Sequence, residues 1–168
     1  IKANTETRKT TIVNGAHLDP PAREAMICAQ CHAAGKSLPP EPVDDKWKEK
    51  DYPDRYKPGD DLKVTFKVEQ AATHSKQSIY SEWVNSKHSE KNVGCPKCHD
   101  PHGGTDQPHQ LKAPVNDLCG GCHEKEKDIK THQPDAPAAA TSCNNCHMPD
   151  GVHLFTKEAA KEGMAKVK

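Results

Sequence analysis

"CPKCHDPHGGTDQPHQLKAPVNDLCGGCH", residues 95–123, holds two Cys-x-x-Cys-His units with His102 and His109 between them. The same unit recurs on either side, at Cys28/Cys31/His32 and at Cys143/Cys146/His147, so all eight cysteines of the chain fall into four identical units. Three chemistries compete for this pattern. A disulfide framework uses an even number of cysteines, yet gives no reason for a histidine after every second one. Zinc sites use Cys-x-x-Cys pairs, but adjacent Cys and His side chains rarely both fit one tetrahedral site. The third chemistry needs all three residues: CxxCH is the attachment motif of c-type haem, in which two thioethers hold the porphyrin edge and the next residue places an imidazole on the iron. On this reading four haem c groups are bound covalently, at Cys28 and Cys31, Cys95 and Cys98, Cys119 and Cys122, and Cys143 and Cys146. His32, His99, His123 and His147 are then the proximal ligands.

Composition agrees. Of 168 residues only 33% are hydrophobic and 4% aromatic, and 14 prolines and 10 glycines interrupt any pattern. A chain this polar does not offset its ordering entropy by side-chain burial alone, so it is disordered or organised around something it binds. Four macrocycles would supply the missing core, and their propionates would add about eight negative charges to a formal net charge of zero. The balance of 24 basic and 24 acidic residues gives no nucleic-acid footprint and no polybasic membrane surface. No apolar run reaches the length of a membrane span. The opening "IKANTETRKT" has no signal-peptide apolar stretch, so an exported protein is expected to be in its mature form here.

Each haem iron has a second axial position. Seven histidines remain for four vacancies: His17, His74, His88, His102, His109, His132 and His153. Met26 and Met148 lie within two residues of a motif, too close to reach the far face of its ring, and Met164 is the third methionine. The surplus of imidazoles favours bis-histidine ligation, which gives lower potentials than Met/His sites. "HLDPPAREAMICAQCH" and "HQPDAPAAATSCNNCH" share His-x10-Cys-x2-Cys-His, which places His17 and His132 as distal ligands at equal distance before motifs 1 and 4. His102, three residues after His99, reaches at most about 10 Å; if it ligates, it ligates a neighbouring haem. His88 and His153 complete the preferred set, with His74 and His109 ranked below them.

The chain is expected to form one tetrahaem domain over residues 1–168: a haem 1 segment (1–36), a proline- and charge-rich excursion (37–61) and a segment with haems 2–4 (62–168). The fold class is mostly irregular, with a few short α-helices and a minor β pair. "RKTTIV" at 8–13 and "LKVTFKVE" at 62–69 are β-rich, and the second alternates, so they are expected to pair. Ser75 is expected to cap a helix over "KQSIYSEWVNS" whose face of Ile79, Tyr80, Trp83 and Val84 delivers His88. Helices are also expected in "HEKEKDIKTH" and, behind Thr156, in "TKEAAKEGMAKVK".

"YSEWVNSKHSEKNVGCPKCHDPHGG" followed by "LKAPVNDLCGGCH" resembles the doubled-CxxCH pattern of multihaem cytochromes c, a group that includes cytochrome c554-like carriers, decahaem conduits and relatives of pentahaem nitrite reductase. The resemblance implies ligand roles for His88 in its S-x-H segment and for His102 in its CHxPH. "CHMPDGVHLF" resembles the group's CHMP segment with a downstream ligand, here His153. Nitrite reductases carry a CxxCK haem for catalysis, and this chain has none. Four haems in a compact chain also resemble the tetrahaem cytochromes that form extracellular filaments, in which one distal histidine comes from the adjacent subunit; a residue near a terminus such as His17 would fill that role.

These readings imply electron transfer through closely packed bis-His haems, by an extracellular polymeric filament or by a discrete periplasmic shuttle, with redox proteins as partners. Haem is joined to CxxCH outside the cytoplasm, which sets the compartment as periplasmic or extracellular. The competing reading is a small reductase with one open haem, for which Lys97, Lys112 or His109 would supply donors. Saturated iron argues against it, and no catalytic residue is assigned.

Overall fold

The computed structural model describes Leu18 and residues 21–71, 73–104 and 106–167. They form two compact units, Ile1–Ser81 and Glu82–Lys168. Short helices and one small sheet are joined by long irregular stretches, as the composition demands.

In the first unit, α1 (Pro21–His32) buries Ala25, Met26, Ala29 and Ala33 along one side, at the spacing of a helical stripe. Leu62 lies against that side, where its backbone N–H donates to the Met26 sulfur at 3.4 Å. Met26 is therefore a packing residue. A two-stranded antiparallel sheet follows, pairing β1 (Gly35–Ser37) with β2 (Phe66–Val68) in the register Gly35 to Val68 and Ser37 to Phe66. Gly35, at φ 154°, allows this pairing, since a Cβ there would stand 2.1 Å from the Lys67 carbonyl oxygen.

The expected strand over 62–69 is thus shortened. Asp61 accepts from the Lys63 N–H and starts a 3-10 turn over Leu62–Val64, which leaves only Phe66–Val68 extended. Its partner is β1, which is not among the expected strands; the expected partner, 8–13, lies outside the described residues. The excursion after Ser37 contains no regular element up to the turn at Leu62, and residues 41–46 are all exposed. It is nevertheless tied back, with Ser37 N–H donating to the Lys50 carbonyl at 2.7 Å and Lys50 N–H donating to the Ser37 hydroxyl at 2.8 Å.

The helix expected over residues 76–86 is shorter, and His88 lies on a second helix. A turn in which the Ser75 N–H donates to the Ser78 hydroxyl (2.8 Å) precedes α2 (Ile79–Val84), and Ser86 then caps α3 (Lys87–Glu90) by accepting from the Ser89 N–H. The extended backbone of Ser86 (φ −93°, ψ 160°) breaks the helix and redirects the chain just before His88. Burial on α2 is not confined to an apolar face: Tyr80 and Trp83 are buried, but so are Ser81 and Glu82. The Trp83 indole donates to the Val93 carbonyl at 2.9 Å and closes this stretch against the second motif.

After α4 (Val115–Gly120), the helix expected in 123–132 divides into a 3-10 turn, Glu124–Glu126, and α5 (Ile129–His132), because Asp128 caps the latter by accepting from the N–H groups of Lys130 and Thr131. α6 (Cys143–His147) carries a capping box between Ser142 and Asn145. α7 (Lys157–Lys166) starts where expected, with the Thr156 hydroxyl accepting from Ala159 N–H at 3.1 Å. It lies directly on α6 through Gly163, where a Cβ would come within 2.3 Å of the Cys146 carbonyl oxygen.

The peptide core is thin. Among the described residues the largest fully buried side chains are Phe66 and Leu62, followed only by serines. Half of the buried apolar residues are alanines.

Candidate haem-binding site

Each CxxCH unit is a single helical turn, which sets its two cysteines three residues apart on one face. The first ends α1 and the fourth is α6 itself. The second is a 3-10 turn, Cys95–Lys97, with Pro96 near its start, and the His99 N–H donates to the Cys95 carbonyl at 3.0 Å. The third closes α4, with the His123 N–H donating to the Cys119 carbonyl at 2.9 Å. All eight cysteines are exposed or half-buried, and among the described residues no three His, Cys, Asp or Glu side chains converge as a metal cluster.

In the second unit six histidines meet in three pairs. His99 faces His153 with ring centroids 6.2 Å apart, His132 faces His147 at 6.1 Å, and His88 faces His123 at 6.1 Å. Each pair joins a motif histidine to one expected distal ligand. Two imidazoles held trans on one ion, each with a metal–nitrogen bond of about 2.0–2.1 Å, set their centroids roughly 6–6.5 Å apart. The three separations fit that arrangement, so the donor set suits a six-coordinate iron between each pair.

Two pairs cross between motifs. His88, upstream of the second motif, faces the histidine of the third; His153, downstream of the fourth, faces the histidine of the second. His132 faces the histidine of its own motif, across a loop held by Asn116, whose amide donates to the Thr141 carbonyl (3.0 Å) and whose oxygen accepts from the Cys143 N–H (2.9 Å).

Backbone carbonyls orient several of these rings. Nδ1–H of His32 donates to the Lys76 carbonyl (2.8 Å), that of His99 to the His109 carbonyl (2.9 Å) and that of His153 to the Gly151 carbonyl (2.6 Å). Protonation at Nδ1 leaves Nε2 as the free donor, the arrangement expected of a metal-binding imidazole. His88 differs: its Nδ1 is buried and has no hydrogen-bond partner. Burial first, and then His123, lowers the pKa of His88; burial, His132 and His123 do the same for His147.

The thiols stand in for thioether sulfurs, and their interactions report which motifs are neighbours. Burial pushes Cys119 up to about 11, followed by Cys143, with which it shares a hydrogen bond, and then Cys98. Cys98 is raised by burial and by Cys122, against the opposing charge of Lys112. The third motif therefore packs on the fourth, α4 on α6, and lies near enough to the second for their cysteines to interact electrostatically.

Of the other expected ligands, His102 stands exposed in the turn after His99, with its N–H bound to the Asp100 carboxylate (3.0 Å) and no imidazole facing it among the described residues. His17 lies outside the described residues. His74 and His109 are exposed, and His109 serves His99 through its carbonyl. The carbonyls of Lys76, His109 and Gly151 were not legible in the sequence because backbone groups carry no residue signature, and the Glu82 carboxylate that accepts from the His153 N–H at 2.8 Å and the Phe155 ring beside His88 were not because tertiary packing brings them there.

Comparison with known proteins bears on the same segment. The doubled CXXCH motif family matches residues 88–128. The chain is similar to the multiheme cytochrome MtrA of Shewanella baltica (strain OS185), 32% identical over 71 residues, which covers 41% of this chain and only 21% of that protein. No solved structure matches the chain. No helix among the described residues is long and apolar enough to cross a membrane. The doubled motif and this likeness support a multihaem c-type cytochrome, with haem bound covalently through its paired CXXCH motifs.

Proposed function

We propose that the chain binds four c-type haems and passes electrons among them through iron that is six-coordinate and closed to substrate. One observation carries this reading: three motif histidines each face a second imidazole at 6.1–6.2 Å. His99 with His153, His123 with His88, and His147 with His132 would each hold one haem iron. His17 is assigned to the first motif with His32, by the His-x10-CxxCH spacing it shares with His132. When bound, haem supplies a one-electron iron couple. Backbone carbonyls hold His99 and His153, and the packing of α4 on α6 supports neighbouring haems at the third and fourth motifs. Oxidised holoprotein is expected to show only low-spin ferric haem by EPR, and a stoichiometric high-spin signal would favour a reductase with an open iron.

The proposed setting is outside the cytoplasm, where haem attachment occurs, with redox proteins as donor and acceptor. The further proposal is self-association into an extracellular filament, which rests on four haem motifs in 168 residues and on the exposed stretch 41–46. Negative-stain electron microscopy of the native protein is expected to show long uniform fibres. Small particles at all concentrations would identify a discrete periplasmic shuttle instead.

A further inference from the structure

The three axial pairs differ in how their ring planes are turned. His99 and His153 lie 29° from parallel and His132 and His147 31°, but His88 and His123 are crossed at 79°. His88 is held differently from His99 and His153. The planes of His99 and His153 are set by hydrogen bonds to the His109 and Gly151 carbonyls, whereas the Nδ1 of His88 has no such bond. What packs on His88 is Phe155, edge to face, with centroids 4.3 Å apart and planes at 70°.

Phe155 also meets His153, at 5.8 Å and 80°, so one ring stands between the distal imidazoles of two neighbouring motifs. Its backbone has φ 54°, a left-handed conformation that a bulky residue adopts only when its surroundings impose it. The preceding segment is pinned by the 3% exposed Glu82, whose carboxylate accepts from the His153 N–H at 2.8 Å. Glu82 anchors the loop, and Phe155 is the residue at which the loop turns to reach His88.

We propose that Phe155 is a positioning residue that holds the His88 plane crossed to His123, making the third-motif haem electronically distinct from the haems of the second and fourth motifs. This rests on the reading that these imidazoles are axial ligands. Parallel imidazole planes split the paired iron d orbitals strongly and give a rhombic low-spin EPR spectrum. Crossed planes leave those orbitals nearly degenerate and give a strongly anisotropic spectrum with a large principal g value.

The test is frozen-solution EPR of fully oxidised holoprotein. The expected spectrum contains a strongly anisotropic low-spin signal of one-haem intensity that disappears in His88→Met, moves toward the rhombic signals in Phe155→Leu and is retained in Phe155→Tyr. A wild-type spectrum without that signal, its survival in His88→Met, or an unchanged signal in Phe155→Leu overturns the proposal. If all haem is low-spin and only rhombic, this inference fails and the ligand reading stands; stoichiometric high-spin haem sinks both. Should Phe155→Leu not fold, two-dimensional NMR of reduced wild-type holoprotein decides the contact: cross-peaks between Phe155 and His88 ring protons are expected, and their absence rejects the role given to Phe155.

Discussion

A chain made without haem attachment, either by expression in the cytoplasm or by replacing all eight cysteines with alanine, is expected to show no cooperative thermal transition by circular dichroism. The holoprotein should melt cooperatively. Fully burying a Leu or Phe side chain contributes about 1.5–3 kcal/mol, and ordering the backbone of each residue costs about 1–2 kcal/mol. Among the described residues only Leu62 and Phe66 are large and fully buried, and six of the twelve buried apolar residues are alanines with little area to contribute. The helices do not compensate: α6 has five residues and α3 four, far below the length at which an isolated helix is stable in water. Binding energy of the prosthetic groups is then folding energy, as in small metal-organised domains. A sharp two-state melt of the haem-free chain would refute this account of the core.

On the proposed pairing, removing His153 should destabilise the holoprotein more than removing His132, although each would delete one distal imidazole. The His99/His153 link closes a stretch from residue 99 to 153, whereas the His132/His147 link closes only 132 to 147. Cross-linking entropy grows with the logarithm of the loop, giving about 4 kcal/mol for the longer stretch and about 3 kcal/mol for the shorter. His88→Ala, which opens the stretch from 88 to 123, should fall near the His153 value. His102→Ala serves as the control; exposed and facing no imidazole among the described residues, it should stay within about 0.5 kcal/mol of wild type. Guanidinium denaturation followed at the haem absorbance reads all four. A His102 variant as damaging as His153→Ala, or a His132 variant more damaging than both long-range ones, would reject the pairing.

Several features lie openly in the sequence because they are short-range. The CxxCH spacing makes one helical turn wherever it occurs, and in the Cys95 and Cys119 motifs the histidine N–H closes that turn on the first cysteine's carbonyl. Thr156 caps α7 through its own side chain three residues ahead. The proline-rich stretch after Ser37 forms no helix or strand up to the turn at Leu62, since nothing local offers it one. Where the expectation failed, a nearby polar side chain competed with the pattern. Ser86 divides the helix before His88, Asp128 divides the one before His132, and Asp61 turns half of the expected strand into a 3-10 turn. Each accepts a backbone N–H and restarts the chain in a new direction.

The sequence by itself showed four identical CxxCH units with an excess of imidazoles, a pattern legible because covalent haem attachment needs cysteine and histidine at fixed separation. Only the tertiary structure decided which imidazoles meet. His88 passes over its nearest motif to face His123, and His153 reaches back to His99, while α4 of the third motif packs on α6 of the fourth. Ring orientation, too, comes from groups with no sequence signature, the carbonyls of His109 and Gly151, and from Phe155, placed by a left-handed turn and a loop anchored on buried Glu82. Partners distant along the chain meet through packing, which spacing alone does not encode.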